Sequence, residues 1–130
     1  MENQDVCRVL VIDDEELMRE TLRPLFSGLG AQVIAEAETG EEGILAFTKH
    51  KPDITFLDIR LPGKSGVEIL KDIIEIAPDA VVVMLTAVTD SDIADSCIDH
   101  GARHFVRKGA SPAILSIMLK AGLDMVNPAT

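Results

Sequence analysis

The sequence has no tryptophan and no tyrosine, and Phe26, Phe47, Phe56 and Phe105 are its only aromatic rings of the Phe/Tyr/Trp type. A core must therefore be built from Val, Ile, Leu, Ala and Met. The apolar content of 47% over 130 residues is sufficient for that and argues against disorder. Cysteine is scarce as well. Cys7 and Cys97 lie far apart beside apolar residues and read as small buried hydrophobes, because a disulfide scaffold or a thiolate metal site needs more cysteines or a short spacing. Basic residues are outnumbered, 12 against 22 acids, for a formal charge of -10. Such a surface repels nucleic-acid phosphates and anionic lipids, so neither is an expected partner, whereas a divalent cation or a basic protein surface suits it. No basic segment followed by an apolar stretch opens the chain, so no signal peptide is expected. The longest strand-like apolar run, AVVVML at 80–85, is far short of the ~20 residues that cross a bilayer. The expectation is a cytoplasmic protein forming one domain over 1–130, with an ordered core over about 6–126.

Five short runs rich in β-branched and apolar residues recur: RVLVI (8–12), QVIAEA (32–37), DITFL (53–57), AVVVML (80–85) and HFV (104–106). The first, third and fourth are nearly continuous and read as strands buried on both faces of a parallel sheet; the second and fifth are weaker and belong nearer its edges. Apolar stripes at helical spacing separate them. These are Met18, Leu22, Leu25, Phe26 and Leu29; Ile44, Leu45 and Phe47; Val67, Leu70, Ile73 and Ile74; Ile93, Ala94, Cys97 and Ile98; and Ile114, Ile117, Met118 and Ala121. All are read as core packing. Thr39, Ser65 and Thr89 each precede an acid by three residues, the capping-box pattern, and Ser111-Pro112 is a cap followed by a proline at the first helical position. Gly30, Pro78 and Gly101 follow periodic segments as stops. Pro24 falls inside the first helix, where a bend is expected. The order βαβαβαβαβα implies an α/β fold with a parallel sheet and right-handed crossovers.

Polar residues collect where these strands end. Asp13 and Asp14 follow the first strand, Asp58 the third and Thr86 the fourth, and Lys108 lies just past the fifth. In open α/β sheets ligands bind at that carboxyl edge, where strand order reverses. With the order 2-1-3-4-5, Asp13, Asp14 and Asp58 converge. Clustered carboxylates raise one another's pKa, a conflict that a bound Mg²⁺ relieves. An aspartate can serve as a nucleophile and become an acyl phosphate, while a lysine supplies charge and a threonine a hydroxyl to the phosphoryl oxygens. Each residue has a plainer reading alone: Asp13 or Asp14 as a helix cap, Asp58 as a turn residue before Leu61-Pro62-Gly63, Thr86 as a structural hydroxyl, Lys108 as a solvated lysine. Five suitable groups at one sheet edge are hard to obtain from unrelated capping. His50, His100 and His104 lack metal-ligand spacing and read as ordinary histidines.

In this arrangement the chain resembles the response-regulator receiver family of two-component signalling. The likeness covers nearly the whole chain and rests on VLVIDDE (9–15), KPDITFLDIRLPGKSGVEIL (51–70), VVVMLTA (81–87) and GARHFVRKGA (101–110). It implies a flavodoxin-like (βα)5 fold with helices on both faces of the sheet. Asp58 then matches the phosphoacceptor, Asp14 the direct Mg²⁺ ligand and Asp13 its partner, and Arg60 the residue whose backbone carbonyl completes the metal site. Thr86 matches the switch hydroxyl, Lys108 the phosphate-binding lysine and Phe105 the aromatic switch. Mg²⁺ is the implied cofactor, with Mn²⁺ able to substitute. The pattern departs at Gly109, where many receivers carry a proline joined by a cis peptide. A cis bond without proline costs ~2.5–4 kcal/mol, and the sequence leaves both isomers open. Arg60 and Val88 stand at positions that tune the lifetime of the phosphoryl group.

The resemblance implies a switch that catalyses only its own phosphorylation and dephosphorylation. A histidine kinase or phosphotransfer protein is the donor, and the surface of the fourth helix, fifth strand and fifth helix reports to a downstream protein or an effector domain. A metal-dependent phosphohydrolase with an aspartyl nucleophile is the alternative, but such enzymes commonly carry a second acid two residues after the nucleophile, where this chain has Arg60. A flavin-binding protein of similar topology lacks support, since acids rather than a Ser/Thr/Gly-rich loop follow the first strand. A degenerate receiver used only for docking is at odds with the complete set of site residues.

Overall fold

The computed structural model describes residues 6–87 and 90–126. The elements run β1 (Cys7–Ile12), α1 (Glu16–Gly28), β2 (Ala31–Ala37), α2 (Gly40–His50), β3 (Ile54–Asp58), α3 (Gly66–Ile76), β4 (Val82–Thr86), α4 (Ser91–Asp99), β5 (His104–Arg107) and α5 (Pro112–Leu123). All strand pairs are parallel, in the order β2-β1-β3-β4-β5. The continuous apolar runs are the three central strands, and the two weaker runs are the edges, as their composition implies.

Alternation along the strands builds two cores. Leu10, Ile12, Leu57, Val82 and Met84 face α2, α3 and α4 through Phe47, Ile69, Leu70, Ile73, Ala94 and Cys97. Val9, Val11, Ile54, Phe56, Val83, Leu85 and Val106 face α1 and α5 through Met18, Leu22, Phe26, Leu115 and Leu119. Phe26 and Phe56, the two fully buried rings, meet at a centroid distance of 4.9 Å with planes tilted by 60°.

Several expected stripes need correction. Leu45 and Ile98 are exposed. In α5 the buried face is Leu115, Leu119 and Gly122 rather than Ile114, Ile117 and Ala121; Met118 alone of the expected set packs against the core. The segment PAILSIMLKAGL is apolar on nearly every side, so more than one helical phase fits it. The phase is set by the sheet, because Gly122 lets α5 approach Val83 and Phe56. α1 is assigned as helix through Pro24 to Gly28, without interruption.

The caps behave largely as the sequence implies. The Thr39 hydroxyl accepts the Glu42 N–H, and the Ser111 hydroxyl accepts that of Ile114. Ser65 and Glu68 form a reciprocal capping box. The expected Thr89 cap lies outside the described residues. Gly66, the first residue of α3, has a second task. Its N–H donates to the Ile59 carbonyl at 2.8 Å, and a Cβ there would lie 2.2 Å from the Asp58 carbonyl oxygen and 2.7 Å from the Ile59 Cα. Both neighbours are backbone and cannot rotate away. Gly66→Ala is therefore expected to destabilise the protein by about 1–3 kcal/mol, the usual range for forced overpacking. A urea midpoint unchanged from wild type would contradict this.

Candidate functional site

The sheet brings the expected residues to one edge. Ile12 of β1 lies opposite Leu57 of β3, so the next residues, Asp13 and Asp58, emerge side by side. Asp58 is opposite Leu85, and Thr86 is opposite Arg107, which places Lys108 just beyond the end of β4. The Lys108 N–H donates to the Thr86 carbonyl at 2.9 Å, fixing the start of its loop. There is no cis peptide among the described residues, so the Lys108–Gly109 bond is trans.

Lys108 Nζ stands 3.1 Å from Asp58 Oδ2, 3.1 Å from Asp13 Oδ2, and against Glu15 Oε1. Asp13 is fully buried, Asp58 is 5% exposed, and Asp14 is open to solvent. Among the described residues, the buried Asp13 Oδ2 has the Lys108 ammonium beside it but no well-formed hydrogen bond. Asp13 Oδ1 accepts the Glu15 N–H at 2.8 Å. Asp13 is thus no N-cap: α1 starts one residue past Glu15, whose own side chain makes no capping bond. The Arg60 N–H donates to Asp58 Oδ1 at 3.1 Å. An open cleft of ≈ 460 Å³ joins Asp14, Glu15, Asp58, Arg60, Ala87, Asp90, Lys108 and Gly109.

Oxygen atoms of Asp13, Asp14 and Asp58 lie within 4.8 Å of one another. An all-carboxylate donor set with one buried oxygen that lacks a well-formed hydrogen bond among the described residues fits a hard divalent cation such as Mg²⁺ or Mn²⁺. Two expected residues stand apart from this cluster. The buried Thr86 hydroxyl donates to the Ala87 carbonyl at 3.0 Å and does not line the cleft. Phe105 lies on the outer side of β5, 36% exposed, in a shallow groove with Arg107, Ile114 and Met118.

Sequence reasoning missed two residues. Glu15, next to the acid pair, competes for Lys108. Asp90, 2% exposed at the start of α4, holds the Arg60 guanidinium, whose Nε lies 2.8 Å and Nη2 2.6 Å from Asp90 Oδ1. The run Asp13-Asp14-Glu15-Glu16 hinted at the first. Nothing in the spacing of Arg60 and Asp90 hinted at the second, because only the sheet brings them together.

Burial, with the Asp13 charge as the second cause, pushes Asp58 up to about 6, against the opposing pull of Lys108 and the Arg60 N–H. Burial also works against the Lys108 ammonium, but Glu15, Asp58 and Asp13 outweigh it and hold the lysine well above its ordinary value. For Asp58 the folded state holds its proton more tightly than the unfolded chain. Its ionisation therefore costs stability as pH rises from the ordinary carboxylate range through about 6, and the full cost is present above that. Without added divalent cation, Asp58→Asn is expected to be more stable than wild type near neutral pH, by roughly 1–3 kcal/mol. The gap should close as pH falls toward about 4. Urea melts across that range test it, and a gap that widens on acidification would contradict the assignment.

The match to known proteins follows this geometry. The family model of the response regulator receiver domain matches residues 9–120. The chemotaxis protein CheY of Thermotoga maritima is 32% identical over 106 residues, 82% of this chain and 88% of that protein. The receiver domain of AraT, a response regulator from Geobacillus stearothermophilus, superposes with a TM-score of 0.85 at 26% identity, covering 95% of this chain and 97% of that one. A chain of the CheX–CheY–BeF3–Mg²⁺ complex from Borrelia burgdorferi superposes with a TM-score of 0.83 at 27% identity, covering 92% and 91%.

Proposed function

This chain belongs to the response regulator receiver family of two-component signalling, and from that membership we propose that Asp58 is its phosphoacceptor and that Asp13, Asp14 and Asp58 hold Mg²⁺. The observation that carries the reading is the convergence of Lys108 on Asp58 beside the acid pair, in an open cleft. The donor is a phosphohistidine on a kinase or phosphotransfer protein. An Asp58 carboxylate oxygen attacks phosphorus, the P–N bond breaks, and its electron pair returns to the imidazole. Lys108 meets the charge on the phosphoryl oxygens as a point charge. When bound, the cation offsets negative charge on the entering group and on the attacking carboxylate. Water later attacks phosphorus, the bond to Asp58 Oδ breaks, and the carboxylate and inorganic phosphate are restored. The backbone carbonyl of Arg60 is assigned as a further ligand.

Thr86, directed at Ala87, and Phe105, directed outward, fit the unphosphorylated arrangement of a switch. Their movement toward the site would alter the surface of α4, β5 and α5, read by a downstream protein or an effector domain. The domain is proposed to act in the cytoplasm; no helix among the described residues is long and apolar enough to cross a membrane. The hydrolase alternative is not favoured. The position two residues after Asp58 is Arg60, and its side chain is committed to Asp90, so no second carboxylate is available there to protonate a leaving group.

Incubation with a small acyl-phosphate donor and Mg²⁺ is expected to add one base-labile phosphoryl group by intact mass. The adduct should be absent in Asp58→Asn and after chelation. An adduct indifferent to both changes, or none in wild type, would sink the reading. Arg60 lines the cleft and is expected to restrict the attacking water. Arg60→Ala should then hydrolyse its acyl phosphate faster than wild type, and equal decay rates would remove that role.

A further inference from the structure

Arg19 is a charged residue of α1 that is only 7% exposed and has no part in the cluster of acids. A guanidinium carries its charge into such a place only when its N–H groups are paired. Here Nε donates to Glu36 Oε1 of β2 at 3.0 Å, and Nη2 lies 3.6 Å from Glu38 Oε2 just beyond that strand. Nη1 donates to the backbone carbonyl of Asp13 at 2.5 Å. Two acids at the sheet edge therefore aim the planar fork at one backbone oxygen.

That oxygen belongs to the peptide joining Asp13 to Asp14. The Asp13 N–H is also tied to β2, through the Ala37 carbonyl at 3.0 Å. Both backbone polar groups of Asp13 are thus anchored to the same strand, one directly and one through Arg19. The Asp14 carboxylate has no side-chain hydrogen bond among the described residues, so its direction depends on the backbone that carries it. A rotation of the 13–14 peptide would swing it away from Asp58.

We propose that Arg19 is a positioning residue for the divalent-cation site, acting through the peptide that joins Asp13 to Asp14. The inference rests on the reading of the acidic cluster as a cation site. Arg23 is a built-in control. It also pairs with Glu36, through Nε and Nη2, but it is about half exposed and makes no bond to Asp13.

The test is a titration with Mn²⁺ alone, in which free Mn²⁺ is read by its electron paramagnetic resonance signal, on wild type and on Arg19→Met, Arg19→Lys and Arg23→Met. Simple electrostatics makes either Met variant bind Mn²⁺ slightly more tightly, since a positive charge is lost near the site. Positioning has the opposite sign for Arg19. Arg19→Met is expected to lose roughly 10-fold in affinity, as outer-shell partners of metal ligands typically do, with Arg23→Met within about twofold of wild type. Arg19→Lys, which keeps the charge but not the fork, should lie between. Urea midpoints measured in parallel show whether affinity merely follows stability. Unchanged or tighter binding by Arg19→Met overturns the proposal, as does an equal loss in Arg23→Met. If Arg19→Met does not fold, wild-type affinity in Arg19→Lys overturns it. Failure of wild type itself to bind Mn²⁺ removes the cation reading instead.

Discussion

One ammonium among carboxylates is the constraint from which the site follows. Lys108 faces Asp13, Asp58 and Glu15, with Asp14 alongside, and two of these acids are almost wholly out of water. Like charges at such spacing in a low dielectric cannot all ionise freely. The lysine offsets part of the excess, while burial first and the Asp13 charge second raise the pKa of Asp58. A site left in this imbalance favours any ligand that brings positive charge.

Keeping these groups together uses much of the fold. Strand order makes β1 and β3 neighbours, which sets Asp13 beside Asp58, and the parallel register carries Lys108 past the end of β4. Gly66 lets α3 start against the backbone of Asp58 and Ile59. Arg19 ties the Asp13 carbonyl to the β2 edge. The two apolar cores supply the stiffness behind these contacts, because close-packed interiors transmit displacement rather than absorb it.

What was legible in the sequence divides along physical lines. Strand runs and their order were legible, since a strand buried on both faces needs an unbroken apolar run, as in VLVI and ITFL. The gathering of Asp13, Asp14, Asp58, Thr86 and Lys108 at one sheet edge was legible because each sits within two residues past such a run, and strand ends share an edge. The phase of α5 was not, because a helix apolar on most sides has no preferred face until the sheet selects one. The Arg60–Asp90 pair was also hidden, and the acidic run Asp13-Asp14-Glu15-Glu16 marked Glu15 without showing that it pairs with Lys108. Both pairs join residues far apart in the chain through side-chain reach, and neither hydropathy period nor spacing encodes reach. The peptide isomer after Lys108 was open in the sequence for a related reason: Gly109 permits several loop geometries, and neighbouring strands choose among them.

Phosphorylation of Asp58 would change this balance in a direction that the described contacts make definite. Aspartate exchanges one charge for roughly -1.5 to -2, with additional acceptor oxygens. Lys108 is already shared with Glu15 and Asp13, so it would offset only part of the added charge. Among the described residues, two groups able to donate to the new oxygens are committed elsewhere: the Thr86 hydroxyl to the Ala87 carbonyl, and the Arg60 guanidinium to Asp90. Drawing Thr86 inward would free the Ala87 carbonyl. Drawing Arg60 inward strips the counterion from Asp90, a carboxylate that is 2% exposed at the start of α4. An unpaired buried charge is far costlier than an exposed one. On the proposed reading of Asp58, the first turn of α4 would then have an electrostatic reason to move, and the acid excess at the site would couple it to that helix.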